Sequence, residues 1–88
     1  MQDLCKKDKY KKVLGKIIKK EREKIHKSIS LISDEIDMTK SIWADTEKGI
    51  KDPQLSTVMR MAEALNIRTS VIVQNLEKAL GEDFSFSD

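Results

Sequence analysis

An all-helical domain is the fold class this sequence predicts, and three observations predict it. The 88 residues are 39% hydrophobic and 36% charged but only 5% aromatic, a mix that suits amphipathic helices better than strands or a disordered chain. Apolar residues recur at three- and four-residue spacing in successive stretches. Between the stretches stand residues that start or stop helices: Ser28, Thr39, Gly49, Pro53, Asn66 and Gly81.

The first helix is expected over residues 9–24, where Tyr10, Val13, Leu14, Ile17 and Ile18 share one face and Ile25 continues it a turn further. Lys9, Lys12, Lys16, Lys19, Lys20 and Glu23 form the opposite face, and residues 1–8 read as a polar leader. Ser28 is the expected N-cap of a second helix over residues 29–36, with Ile32 and Ile36 one turn apart. Asp37 and Met38 make a short turn. Thr39 offers a capping hydroxyl to a third helix over residues 40–48, whose inward residues are Trp43 and Thr46. Gly49 follows, where a helix end favours a left-handed residue.

Asp52 and Pro53 mark the entry to the fourth helix, over residues 54–65, because proline has no N–H to lose in the first helical turn. Leu55, Val58, Met61, Ala62 and Leu65 are expected on its buried face, and Asn66 ends it. A fifth helix, from Thr69 or Ser70 to residue 80, carries Val71, Ile72, Leu76, Ala79 and Leu80 before Gly81 stops it. Residues 9–80 are thus one compact domain, followed by a tail, 81–88, that is either frayed or pins Phe84 and Phe86 onto the domain or a partner subunit. The docked arrangement is favoured because two phenylalanines in water are unfavourable.

Composition excludes several classes. One cysteine, Cys5, permits no internal disulfide, and a single histidine, His26, leaves too few soft ligands for a transition-metal site. His26 reads as a helix-end residue, Cys5 as an idle thiol and Trp43 as core. No apolar run could span a bilayer and no apolar core follows the basic N-terminus, so a cytoplasmic protein with no membrane association is expected. Phosphate loops, acid/base pairs and nucleophile–histidine sets are missing from the sequence, so no enzyme and no cofactor are expected. The net charge of +2 is unevenly spread. Residues 1–27 hold eleven Lys/Arg against four Asp/Glu, a surplus of +7, and residues 28–88 hold six against eleven, or −5. A basic N-terminal third attracts phosphate or acidic surfaces.

The segment Ser28-Ile-Ser-Leu-Ile-Ser-Asp-Glu-Ile-Asp-Met-Thr39, followed by Lys-Ser-Ile-Trp-Ala-Asp-Thr-Glu-Lys-Gly49, resembles the Xre-type helix-turn-helix family of phage repressors and Cro-like regulators. The resemblance covers residues 14–76 and includes the fourth-helix stretch that leads through Met61-Ala-Glu-Ala-Leu-Asn-Ile67. It implies a five-helix, lambda-repressor-like domain whose second and third helices form a helix-turn-helix, the third lying in the DNA major groove. Ser33 stands where relatives have a small alanine, and Arg22 and Glu47 match a pair that fixes the third helix to the first. The chain departs from the pattern at Asp37 (usually Gly), Ile29 (commonly Gln), Lys27 (usually apolar) and Thr46 (usually Ile or Leu).

Carried over residue by residue, the resemblance implies that Thr39, Lys40, Ser41, Ala44 and Asp45 read bases, while Ser28, Ile29, Lys48 and Lys51 adjoin phosphates. The expected partner is double-stranded DNA, bound by a homodimer formed through helix five and the tail. The expected function is a sequence-specific transcriptional regulator, a repressor by preference, and one special form is a self-regulating antitoxin with a toxin as protein partner. The competing reading is a protein-interaction module that kept the fold and lost specific DNA binding, supported by Ile29, Asp45 and the acidic residues 28–88.

Overall fold

The computed structural model describes residues 5–87 and contains five α-helices: α1 (Lys6–Lys24), α2 (Ile29–Glu35), α3 (Lys40–Glu47), α4 (Leu55–Ala64) and α5 (Thr69–Leu80). No strand occurs among the described residues, and no helix there is long and apolar enough to cross a membrane. α1 is the spine. It packs against both α3 and α5, while α2 packs on α3 and α4, and α4 on α5. The result is a globule with a radius of gyration of 13.1 Å, as expected of a domain this size.

Every helix contributes to one core. Leu14 and Ile18 enter from α1, Ile32 from α2, Trp43 from α3, Val58 and Met61 from α4, and Ile72 and Leu76 from α5. Burial of this kind supplies most of the stability of short helices, which α2 and α3 could not hold alone. Leu55 is the exception on the expected buried face of α4, and Ala79 of α5 is exposed as well. Leu55 is 64% exposed, because it opens α4 at an end that overhangs the core, and Val58 one turn later is the first to reach it.

The helix ends follow chemistry visible in the chain. Ser28 Oγ accepts the Leu31 N–H at 3.0 Å, capping α2 as expected. Left-handed residues close the turns: His26 (φ 56°), Asp37 (φ 53°), Gly49 (φ 75°) and Asn66 (φ 60°). His26 and Asp37 hold these angles without glycine's freedom, so each of the two turns flanking α2 carries local strain. Three expectations are corrected. Thr39 stands at the N-cap of α3, but its hydroxyl makes no capping bond. Pro53 precedes the α4 N-cap, Gln54, so it rigidifies the approach and lies outside the first helical turn. α1 begins at Lys6, three residues earlier than the apolar periodicity begins to report.

That extra turn of α1 has visible supports. Asp8 lies in the first turn, where the helix dipole favours a negative charge, and Lys11 pairs with it at 3.4 Å. A hydrogen bond with Cys5, reinforced by Lys11, holds the exposed Asp8 carboxyl below its ordinary range. Lys7 reaches Asp52 at 3.5 Å. The leader expected over residues 1–8 is therefore partly helix; its first four residues, like Asp88 of the tail, lie outside the described residues.

The tail returns to α1 of its own chain but docks only in part: Phe84 is half-buried, while Phe86 remains 62% exposed. The Phe86 ring meets Tyr10 edge-on at 5.6 Å and Phe84 at 5.0 Å, and the Lys9 ammonium sits 5.8 Å from the Phe84 centroid. Burial beneath this cover, and the nearby Asp52 carboxylate, raise the Tyr10 phenol above its ordinary pKa.

Candidate nucleic-acid interface

The candidate interface is the outward face of α3 with the ends of the elements beside it, and the inward face explains how it is held. Trp43 and Thr46 are fully buried, and the Thr46 hydroxyl satisfies itself by donating to the Ile42 carbonyl at 2.8 Å. Next to them lies a charged network. Arg22 Nε donates to Glu47 Oε2 at 2.6 Å and Nη2 donates to Oε1 at 2.9 Å, a two-pronged pair between α1 and α3. Trp43 Nε1 also donates to Oε2, at 2.7 Å, and Arg22 Nη1 donates to the Lys27 carbonyl at 2.9 Å. One guanidinium thus ties α1 to α3 and to the approach to α2. The side chains of Arg22 and Glu47 are only 12% and 6% exposed, so little water competes. The hydrogen bonds that Arg22 donates to Glu47, and that carboxylate's negative charge, raise the Arg22 pKa above the ordinary arginine value, against burial.

A second lock is steric. A Cβ added to Gly15 would lie 2.5 Å from the Glu47 carbonyl oxygen and 2.6 Å from that of Thr46. At the turn beyond α3, a Cβ on Gly49 would lie 2.9 Å from Lys12 Cα. α1 and the end of α3 therefore meet backbone to backbone. Sequence reasoning did not single out Gly15, although a glycine inside a helical pattern costs about 1 kcal/mol against alanine and so asks for a packing reason. The Trp43–Glu47 bond was missed as well; its signal was a hydrogen-bonding indole four residues before a carboxylate on a helix.

The opposite side of α3 is free. Thr39, Lys40, Ser41 and Lys48 are exposed, and Ala44 and Asp45 are half-buried. Lys40, Ser41, Ala44, Asp45 and Lys48 share the helix side away from Trp43 and Thr46, whereas Thr39, at the N-cap, lies one turn before Trp43 on the inward side. Lys40 and Lys48 stand about 12 Å apart along the axis. The Asp45 carbonyl accepts the Ile50 and Lys51 N–H groups at 2.9 and 3.3 Å, which folds Lys51 back beside Lys48.

The charge of this face differs from the neutral sum that counting along the helix gives. Glu47 is consumed by Arg22, which leaves Lys40, Lys48 and neighbouring Lys51 against Asp45 alone. At the other end, a groove of about 600 Å³ between α2 and α3 is lined by Ser28, Ser30, Leu31, Ser33, Asp34, Met38 and Lys40. Ser28 and Lys40 are thereby brought together, while Lys48 and Lys51 lie toward the far end of α3. Ser28 is an acceptor within α2, so its hydroxyl hydrogen remains able to donate outward. Ile29 packs its side chain on the core and can offer a ligand only its main chain.

No protein-family model matches this chain, and no curated protein sequence matches it.

Proposed function

We propose that this protein is a sequence-specific DNA-binding transcriptional regulator with a lambda-repressor-like, Xre-type helix-turn-helix formed by α2 and α3. The observation that carries the reading is the division of α3 into two faces. One is clamped by Arg22, Glu47 and Gly15, and the other, with Lys40, Ser41, Ala44 and Lys48, is open to a partner. A reader of base edges needs this rigidity, since groove recognition depends on side chains held at fixed positions. In this reading Lys40 donates to guanine O6 or N7, Ser41 serves either base type, Ala44 meets a thymine methyl and Asp45 accepts from cytosine N4. Thr39 begins the reading helix. Ser28, the main chain of Ile29, Lys48 and Lys51 adjoin phosphates. The protein acts in the cytoplasm by occupancy, without catalysis or a cofactor, as a homodimer through α5 and the tail; one special form of such a regulator is an autoregulating antitoxin.

A second reading, a protein-interaction module, is favoured by one observation. Ile50, Leu55 and Met59 are 60%, 64% and 51% exposed around the α3–α4 connection. Mutation separates the two. Lys40→Ala is expected to cost about 1–3 kcal/mol on the preferred duplex and to relax sequence preference at the position it reads, measured by fluorescence anisotropy on preferred and scrambled duplexes. Equal weakening on both duplexes would contradict a base-reading Lys40. Duplex affinity that is indifferent to salt would favour the interaction module.

A further inference from the structure

The lysines of α1 divide into two groups. Lys7, Lys11, Lys24 and, from the following turn, Lys27 have carboxylate partners in Asp52, Asp8, Glu21 and Glu35. Lys9, Lys12, Lys16, Lys19 and Lys20 form no ion pair among the described residues; all five are exposed, and Lys9 instead lies over the Phe84 ring. The second group is not scattered. At 3.6 residues per turn the five fall within about 100° of the helix surface along about 16 Å of its length. Like charges three and four residues apart on one helix face repel by about 0.2–0.5 kcal/mol a pair. A merely solvated face mixes signs. Here the acids on or bordering the strip stand at its two ends, Asp8, close enough to Lys12 for its charge to be felt, and Glu23.

The strip is joined to the face of α3. Lys12 abuts Gly49, whose added Cβ would lie 2.8 Å from Lys12 Cγ, so the lysine strip continues into the segment carrying Lys48 and Lys51. Of the acids near this junction, Glu47 is occupied by Arg22 and Asp52 by Lys7, which leaves Asp45. We propose that Lys12, Lys16 and Lys19 form a second, sequence-independent phosphate-binding strip that lengthens the DNA footprint beyond the reading helix. A strand of duplex DNA presents a charge about every 3.4 Å of axis, so a strip of this length faces several phosphates. The inference rests on the DNA-binding reading above and names the part of the chain that supplies affinity rather than sequence preference.

The test is the triple substitution Lys12→Gln, Lys16→Gln and Lys19→Gln in the full chain, titrated with preferred and scrambled duplexes across a salt series. Each phosphate contact contributes about 0.9 to the slope of log K against log salt, so the slope becomes shallower by about 2 to 3. Affinity falls by the same factor, on the order of tenfold or more, on both duplexes, and preference between them is kept. An unchanged thermal melt shows that the variant is folded. A slope equal to that of the unaltered protein overturns the strip and leaves the reading helix standing. Failure of the unaltered protein to bind any duplex overturns the regulator reading and the strip together.

Discussion

Gly15→Ala is expected to destabilise the protein by about 1–3 kcal/mol, the range for overpacking a close contact. The direction is the informative part, because alanine is the better helix former by about 1 kcal/mol and would stabilise an unencumbered helix. Here the new methyl meets the Glu47 and Thr46 carbonyl oxygens at 2.5 and 2.6 Å. Those atoms belong to the backbone of α3 and cannot rotate aside as a side chain does. Either α3 moves off α1 and strains the Arg22–Glu47 pair, or the helices open and the Trp43 environment loosens. Urea unfolding followed by Trp43 fluorescence measures the loss. A midpoint equal to or above that of the unaltered protein would show that α1 and α3 do not meet at this distance in solution.

Glu47→Gln is expected to cost about 3 kcal/mol, because it leaves the Arg22 guanidinium largely buried without its counter-charge. The amide keeps the shape of the carboxylate but cannot accept from Arg22 on both of its heavy atoms. It also gives up one partner among the three bonds that Oε1 and Oε2 now receive from Arg22 and Trp43. Arg22→Met costs a similar amount by stranding the carboxylate. The double substitution Arg22→Met, Glu47→Met is expected to lose less than the sum of the two, since removing both charges leaves neither stranded. The remaining loss belongs to Trp43 Nε1, which then has no acceptor. Additive losses in this cycle would contradict a direct pair.

Much of the fold was legible because helix ends and apolar spacing are local properties. α2 to α5 lie within one residue of the expected ranges, and Ser28, Gly49 and Asn66 mark their ends by the chemistry that nominates them. What escaped was set by partners remote in sequence. The first turn of α1 has no apolar residue to announce it, and its supports include Asp52 and the tail. Leu55 continues the buried pattern of α4 on paper, yet lies beyond the point where other helices cover it. Periodicity reports which residues share a face, not where along the helix that face is met.

The site shows the same division. Trp43 and Thr46 were legible as inward residues from their spacing, and both are buried. The charge of the α3 face was not, because counting Lys40, Asp45, Glu47 and Lys48 together treats a carboxylate committed to Arg22 as if it faced a ligand. Gly15 was overlooked for a related reason: its role depends entirely on two carbonyl groups more than thirty positions away.

Whether the free face of α3 reads DNA sequence is decided by selecting bound duplexes from a random library with the purified protein at near-physiological salt. A reading face on a two-fold dimer enriches an inverted repeat with half-sites about one helical turn apart. No enrichment from protein shown to be folded by its thermal melt would contradict sequence reading by α3 and direct attention to the exposed Ile50, Leu55 and Met59 as a protein-binding surface.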